Sequence, residues 1–354
     1  MIGQFLPAHN DSNIGNYAFT AVQHDHVLIN QYKSPQQPGI FTDPAMLLNF
    51  LYTFSGILLL YAGAELLVRG SVSLSWKFNV TPMLTGLVVV GLGTSSPELV
   101  VSIQATLQGS GEIAAGNIIG SNISNLALVM GIAALIFPLH ASASLLRREV
   151  PVMITVSLLL TLLLFNGFLG RIDAGILLIA LLIYLVCTIR NNLKPVFAEE
   201  PQGFFTRKSP ILITASLAGL TILLIGANLM VAGASGIARQ LDVGEGVIGL
   251  TVVAIGTSLP ELATAVVAAV RKQGDLILGA LIGSNILNIL FVLGITATVT
   301  PIVLVDIMTM DLVLMSLLAI LMIPVIRTGY VVSRLEGAFL LAGYIIYVTF
   351  LFVR

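Results

Sequence analysis

From Met46 onward the chain is a succession of apolar segments, each long enough to cross a bilayer and separated by short polar breaks. They fall at about 46–75, 82–107, 113–137, 150–166, 173–189, 210–238, 247–270, 276–300, 311–326 and 335–353, and one helical crossing takes about 20 apolar residues. The runs are continuous, not alternating, which argues against a lipid-facing β-barrel. Only 9% of the residues are charged and 57% are hydrophobic, whereas a soluble domain carries about 25% charged residues. So little charge cannot cover a water-facing exterior, so the outside faces lipid. The sequence predicts an all-α polytopic membrane protein with ten transmembrane helices.

Composition also narrows function. A net charge of −1 supplies no basic field for nucleic acid. His9, His24, His26 and His140 lie outside the apolar runs, so the membrane interior lacks imidazole for a metal site or a Ser-His dyad. The single Cys187 has no partner for a disulfide. Neither an enzyme nor a cofactor is expected.

Four stretches recur at a fixed offset of 163 residues. GLVVVGLGTSSPEL at Gly86–Leu99 returns as GLTVVAIGTSLPEL at Gly249–Leu262, and GNIIGSNISN at Gly116–Asn125 returns as GALIGSNILN at Gly279–Asn288. Leu58–Gly70 matches Thr221–Gly233, and Gly170–Leu178 matches Ser333–Leu341. The expected organisation is a polar, weakly ordered tail at 1–45, a five-helix repeat at 46–189, a cytoplasmic linker at 190–209 and a second five-helix repeat at 210–354. Because Met46 opens the first apolar run, the tail reads as an extension of a core beginning there.

Five crossings per unit make the second unit enter the membrane from the opposite side, so the repeats are inverted. Eleven Lys and Arg residues fall in odd-numbered loops and four in the tails and even-numbered loops. That bias places both termini outside the cytoplasm. Inverted repeats with Gly- or Pro-interrupted spans characterise secondary transporters, whose substrate site lies near the midplane.

Glu98 and Glu261 are the carboxylates well inside spans that recur in both units. Each ionised group at bilayer depth costs at least about 2.5–3.5 kcal/mol, and two facing each other repel. A bound cation resolves both problems; a pair of protonated structural carboxylates is the alternative. Pro97 and Pro260 lack an N–H to pair the carbonyls of Gly93 and Gly256. The spans are therefore expected to unwind at Gly-Thr-Ser, with each Glu in the first turn beyond the break, at the positive end of a half-helix. A plain proline kink is the simpler reading of the same residues. On the following spans, Ser121 stacks with Asn125 and Ser284 with Asn288 at four-residue spacing. These supply neutral oxygens, or serve close helix packing. Oxygen ligands without imidazole or thiolate select hard cations, and two carboxylates with carbonyls suit Ca2+ better than Mg2+.

GTSSPE and GTSLPE, each followed by GSNxxN, resemble the alpha repeats of the Ca2+/cation antiporter superfamily, with the bacterial sodium/calcium exchangers most similar. The resemblance runs from about residue 50 to the end. It implies Ca2+ held by Glu98 and Glu261 with backbone oxygens of Thr94 and Thr257. It further implies Na+ sites that share these carboxylates and involve Gly91, Ala254, Ser121 and Ser284, a central position between Asn125 and Asn288, and hydroxyls from Ser95 and Ser258. Asn288 stands where some relatives carry Asp, which removes one possible charge.

The expected activity is Na+/Ca2+ antiport by a monomer in a bacterial inner membrane, whose partners are the lipid bilayer and the two ions. A proton/calcium antiporter is the alternative; a passive channel or an intramembrane hydrolase lacks the required pore or residues. Glu65, four residues before Arg69, reads as an i,i+4 ion pair near a span end.

Overall fold

The computed structural model describes residues 44–191, 209–243, 254–304 and 309–353. The expected tail, most of the linker and the start of the seventh span lie outside the described residues. The helices are α1 (Pro44–Lys77), α2 (Pro82–Leu107), α3 (Gly111–Ile136), α4 (Leu145–Asn166), α5 (Arg171–Arg190), α6 (Pro210–Gln240), α7 (Leu259–Val270), α8 (Gly274–Val299), α9 (Thr309–Arg327) and α10 (Arg334–Leu351). Among the described residues, all but α7 are long and apolar enough to cross a membrane. A four-residue helix, Ala254–Thr257, precedes α7.

The duplication is visible residue by residue. The 12-residue helix Ser96–Leu107 matches Leu259–Val270, and the 14-residue helix Gly111–Ser124 matches Gly274–Leu287, each at the 163-residue offset. Both 14-residue helices run into π-helical turns that start at Asn125 and Asn288. Wider turns of this kind recur at functional positions in helices.

Four short strands reveal how the halves are related. They are β1 (Leu139–His140), β2 (Phe168–Leu169), β3 (Ile302–Val303) and β4 (Val331–Val332). Leu139 pairs with Val332 and Leu169 with Ile302. Each pairing maps onto the other when 163 is added or subtracted, the mark of a two-fold axis. Because β1 and β2 sit at opposite ends of α4, the rotation that exchanges the halves also exchanges the two membrane faces. The repeats are therefore inverted, as their odd number of crossings requires.

The same axis passes between α1 and α6, which cross antiparallel with their backbones in contact. A Cβ on Gly63 would lie 2.4 Å from the Leu223 nitrogen, and one on Gly226 would lie 2.6 Å from the Leu60 nitrogen. Lipid offers no hydrophobic drive to join helices, so small residues that let backbones approach are what hold such a pair. Gly63→Leu meets backbone atoms that no rotamer change can move aside. Its cost should reach or exceed the roughly 1–3 kcal/mol typical of overpacking. It would be read as a lower thermal midpoint of purified protein, and an unchanged midpoint would show that the contact contributes little.

α8 lies along the first half of α2 in a similar way. A Cβ on Gly279 would fall 2.3 Å from the Met83 carbonyl, and one on Gly283 would fall 2.8 Å from the Leu87 Cα. This approach carries the next residue, Ser284, into the middle of the bundle beside Gly91.

Candidate cation site

The break in α2 is narrower than the Gly-Thr-Ser unwinding expected from the sequence. Leu92–Thr94 stays helical, and Ser95 alone leaves the helix, at φ −78° and ψ 1°. Ser258 does the same ahead of α7, at φ −90° and ψ 3°. One residue suffices because Pro97 and Pro260 lie in the first turn of a new helix, where a missing N–H costs nothing. A π-helical stretch, Gly86–Gly91, precedes the first break.

Glu98 and Glu261 each fall in the first turn beyond the break, where the helix dipole favours a negative charge. They are 1% and 3% exposed. Thr94, four residues before Glu98, lines the same narrow cavity as Glu261. Ser121 lies beside the Glu98 carboxyl and Thr94 beside that of Glu261, yet no donor meets either carboxyl in hydrogen-bonding geometry. The Ser95 and Ser258 hydroxyls and the Asn125 and Asn288 carbonyl oxygens are likewise buried and unpartnered. Eight buried oxygens of the residues singled out in the sequence, drawn from both halves, thus have no donor. Buried polar groups are normally satisfied, so each of these oxygens is an exception.

Beside these oxygens, the Thr94 hydroxyl lies 3.5 Å from that of Ser284, and both reach the Gly91 carbonyl at 3.5 Å. Thr257, half-buried, and Ala254 belong to the short helix before the second break. The structure thus gathers Gly91, Thr94, Ser121 and Ser284 around the two carboxyls. For Ala254 and Thr257 it gives position in the chain alone.

Asn122 and Asn285, which were not singled out in the sequence, hold the centre. Each Nδ2 donates to the other's main-chain carbonyl at 3.2 Å, another pairing related by the two-fold. With its amino group used, the Asn285 Oδ1 is left to accept from Asn125 Nδ2 at 3.1 Å, and the Asn122 Oδ1 accepts from Asn288 Nδ2 at 3.0 Å. These contacts fix which way the Asn125 and Asn288 amides point and leave their oxygens free. Outer residues commonly orient metal ligands in this manner. The doubled Asn in GSNxxN was the available signal.

Two inverted half-bundles, each with a buried carboxyl in the first turn beyond a helix break, have the architecture of a membrane transporter. The family model described as sodium/calcium exchanger protein matches residues 48–190 and 211–353, and the chain belongs to that family. The ions such a protein moves, Na+ and Ca2+, are cargo, not cofactors. A putative antiporter, CaxA, of Alkalimonas amylolytica is 35% identical over 87% of this chain and 99% of its own length. The sodium/calcium exchanger MaX1 of Methanosarcina acetivorans is 28% identical over 86% and 98%. A solved structure of the sodium-calcium exchanger NCX_Mj, soaked with Na+ and Sr2+, superposes with a TM-score of 0.77 at 32% identity, covering 86% of this chain and 99% of that one.

Proposed function

We propose that the chain exchanges Na+ for Ca2+ across the membrane by alternating access. Ca2+ is held between Glu98 and Glu261 with main-chain oxygens at Thr94 and Thr257. Na+ competes at overlapping positions that use the same carboxylates with Gly91, Ala254, Ser95, Ser258, Ser121, Ser284, Asn125 and Asn288. The observation that carries this reading is the pair of buried carboxyls, one from each half, with all four oxygens unpartnered. An empty site would leave two repelling charges in a dry interior and resist closing. Cation occupancy removes that penalty, so the site crosses loaded and the ions exchange. A ligand shifts the balance between inward and outward states only by its differential affinity for them.

The names of the relatives MaX1 and NCX_Mj support Na+ as the counter-ion. The domain reading stays as the repeat implies: units at 46–189 and 210–354, a cytoplasmic linker at 190–209 and a polar tail at 1–45. The basic loops support an orientation with both termini outside the cytoplasm, in a bacterial inner membrane. One chain supplies both halves of the site, which supports function as a monomer.

The test is Ca2+ uptake into vesicles holding purified protein. An outward Na+ gradient should drive it, and dissipating that gradient should stop it. Uptake driven by a pH jump and indifferent to Na+ would replace the counter-ion with H+.

A further inference from the structure

Glu65 takes no part in the proposed cation site, yet it has two cationic partners. Arg69, one turn along α1, lies 2.5 Å away. Arg271 meets both carboxylate oxygens, with Nε donating to Oε2 at 2.7 Å and a terminal amino group donating to Oε1. A bidentate pairing fixes orientation as well as distance between the elements that carry it. Those elements are α1 and the residue that ends α7, whose first turn holds Glu261.

A narrow cavity opens beside Glu261. Its lining runs from Thr94 and Glu261 along Ala265 and Ala268 of α7 to Val68 of α1 and Ile277 of α8. Val68 follows Glu65 by three residues on α1, and Ala268 precedes Arg271 by three on α7. Residues at that spacing are neighbours on a helix surface. Glu65 and Arg271 are therefore each about one helical turn from a residue of the cavity wall.

The duplicate half has no such tie. At the 163-residue offset Glu65 corresponds to Asn228 and Arg271 to Gln108, both uncharged. In a transporter of two inverted halves, closure at one face and closure at the other are related by the same two-fold. Identical halves would make those states equal in energy, and only differences between the halves bias them. We propose that the Glu65–Arg271 ion pair is a lock present on one face only. It holds α1 against the end of α7 and closes the passage between Glu261 and the turn at Arg271–Gln273, and it opens when the site is exposed there. Glu65 and Arg271 touch no transported ion; they are positioning residues. The effect on transport rests on the exchanger reading, whereas closure itself can be measured without flux.

In a Cys187→Ser background, Ala268→Cys places a thiol in the cavity wall. Its labelling by a membrane-impermeant maleimide is followed from each side, in right-side-out and inverted vesicles. Glu65→Gln and Arg271→Gln should each speed labelling about two- to fivefold from the side bearing the Arg271–Gln273 turn, the upper part of the range for a partly exposed ion pair. The double variant should be no faster than either single, because the two charges act through one interaction. Arg271→Lys keeps the charge without the fork and should fall between. Unchanged rates in the singles, or additive effects in the double, overturn the lock. If Glu65→Gln fails to fold, the two Arg271 variants, at a turn, still give the readout. Absent Na+-driven Ca2+ uptake by the parent protein would remove the exchange reading and leave the labelling result standing.

Discussion

Glu98→Gln and Glu261→Gln should each lower Na+-driven Ca2+ uptake by about two to three orders of magnitude, the scale of removing one partner from a buried charged set. Gln keeps the shape and one carbonyl oxygen while removing the charge that a divalent ion needs. The same change should not harm the fold. Without cation, both carboxyls are buried and unpartnered, so neutralising one removes a costly buried charge. In metal-free detergent solution the thermal midpoint should stay level or rise. The increase that Ca2+ gives the parent through binding the folded state should disappear. A variant that keeps near-parental uptake would show that the ion is held elsewhere. A variant that loses both uptake and fold would show that the acids are structural.

The second large effect is expected at residues that touch no cation. Asn122→Ala removes the oxygen that accepts from Asn288, and Asn285→Ala removes the one that accepts from Asn125. Either amide is then free to turn its NH2 toward the site, replacing an acceptor by a donor. Loss of an orienting partner around a metal typically costs about 10- to 100-fold in affinity. The half-saturating Na+ concentration should rise by that order, with maximal rate less affected. Combining Asn122→Ala with Asn288→Ala should add little to the worse single, since the two act through one contact. Additive losses would show that Asn122 only packs the helices.

The acids were legible because an ionisable group at bilayer depth is costly and rare, and because it recurs with the same neighbours in both halves. The helix breaks were legible from Pro97 and Pro260. Their extent was not: a proline that starts a new helix and a proline that breaks a longer stretch look the same in sequence. Asn122 and Asn285 occupy a helix face that matters only once the halves oppose each other, and no local spacing shows that. Glu65 was read as paired with Arg69, which is correct, but its partner Arg271 lies 206 residues away. A further duplicated pair also escaped notice. Tyr184 donates to Glu149 at 2.8 Å and Tyr347 to Asp311 at 3.0 Å, each joining the last two helices of its half. The tyrosines obey the 163-residue offset, but the acids are 162 apart, so a comparison at constant offset slides past them. Position within a span obscured them too, since a carboxylate near a helix start is unremarkable in sequence.

The interlocked strand and asparagine pairings give each half a rotated twin within one polypeptide. A substitution in the duplicated motifs, such as one at Glu98 or Asn122, therefore has a matched companion 163 positions away, at Glu261 or Asn285. Equal losses in both companions report on chemistry shared by the two faces. Unequal ones measure how far the twin halves have diverged since they were copied, and hence how the molecule tells inside from outside.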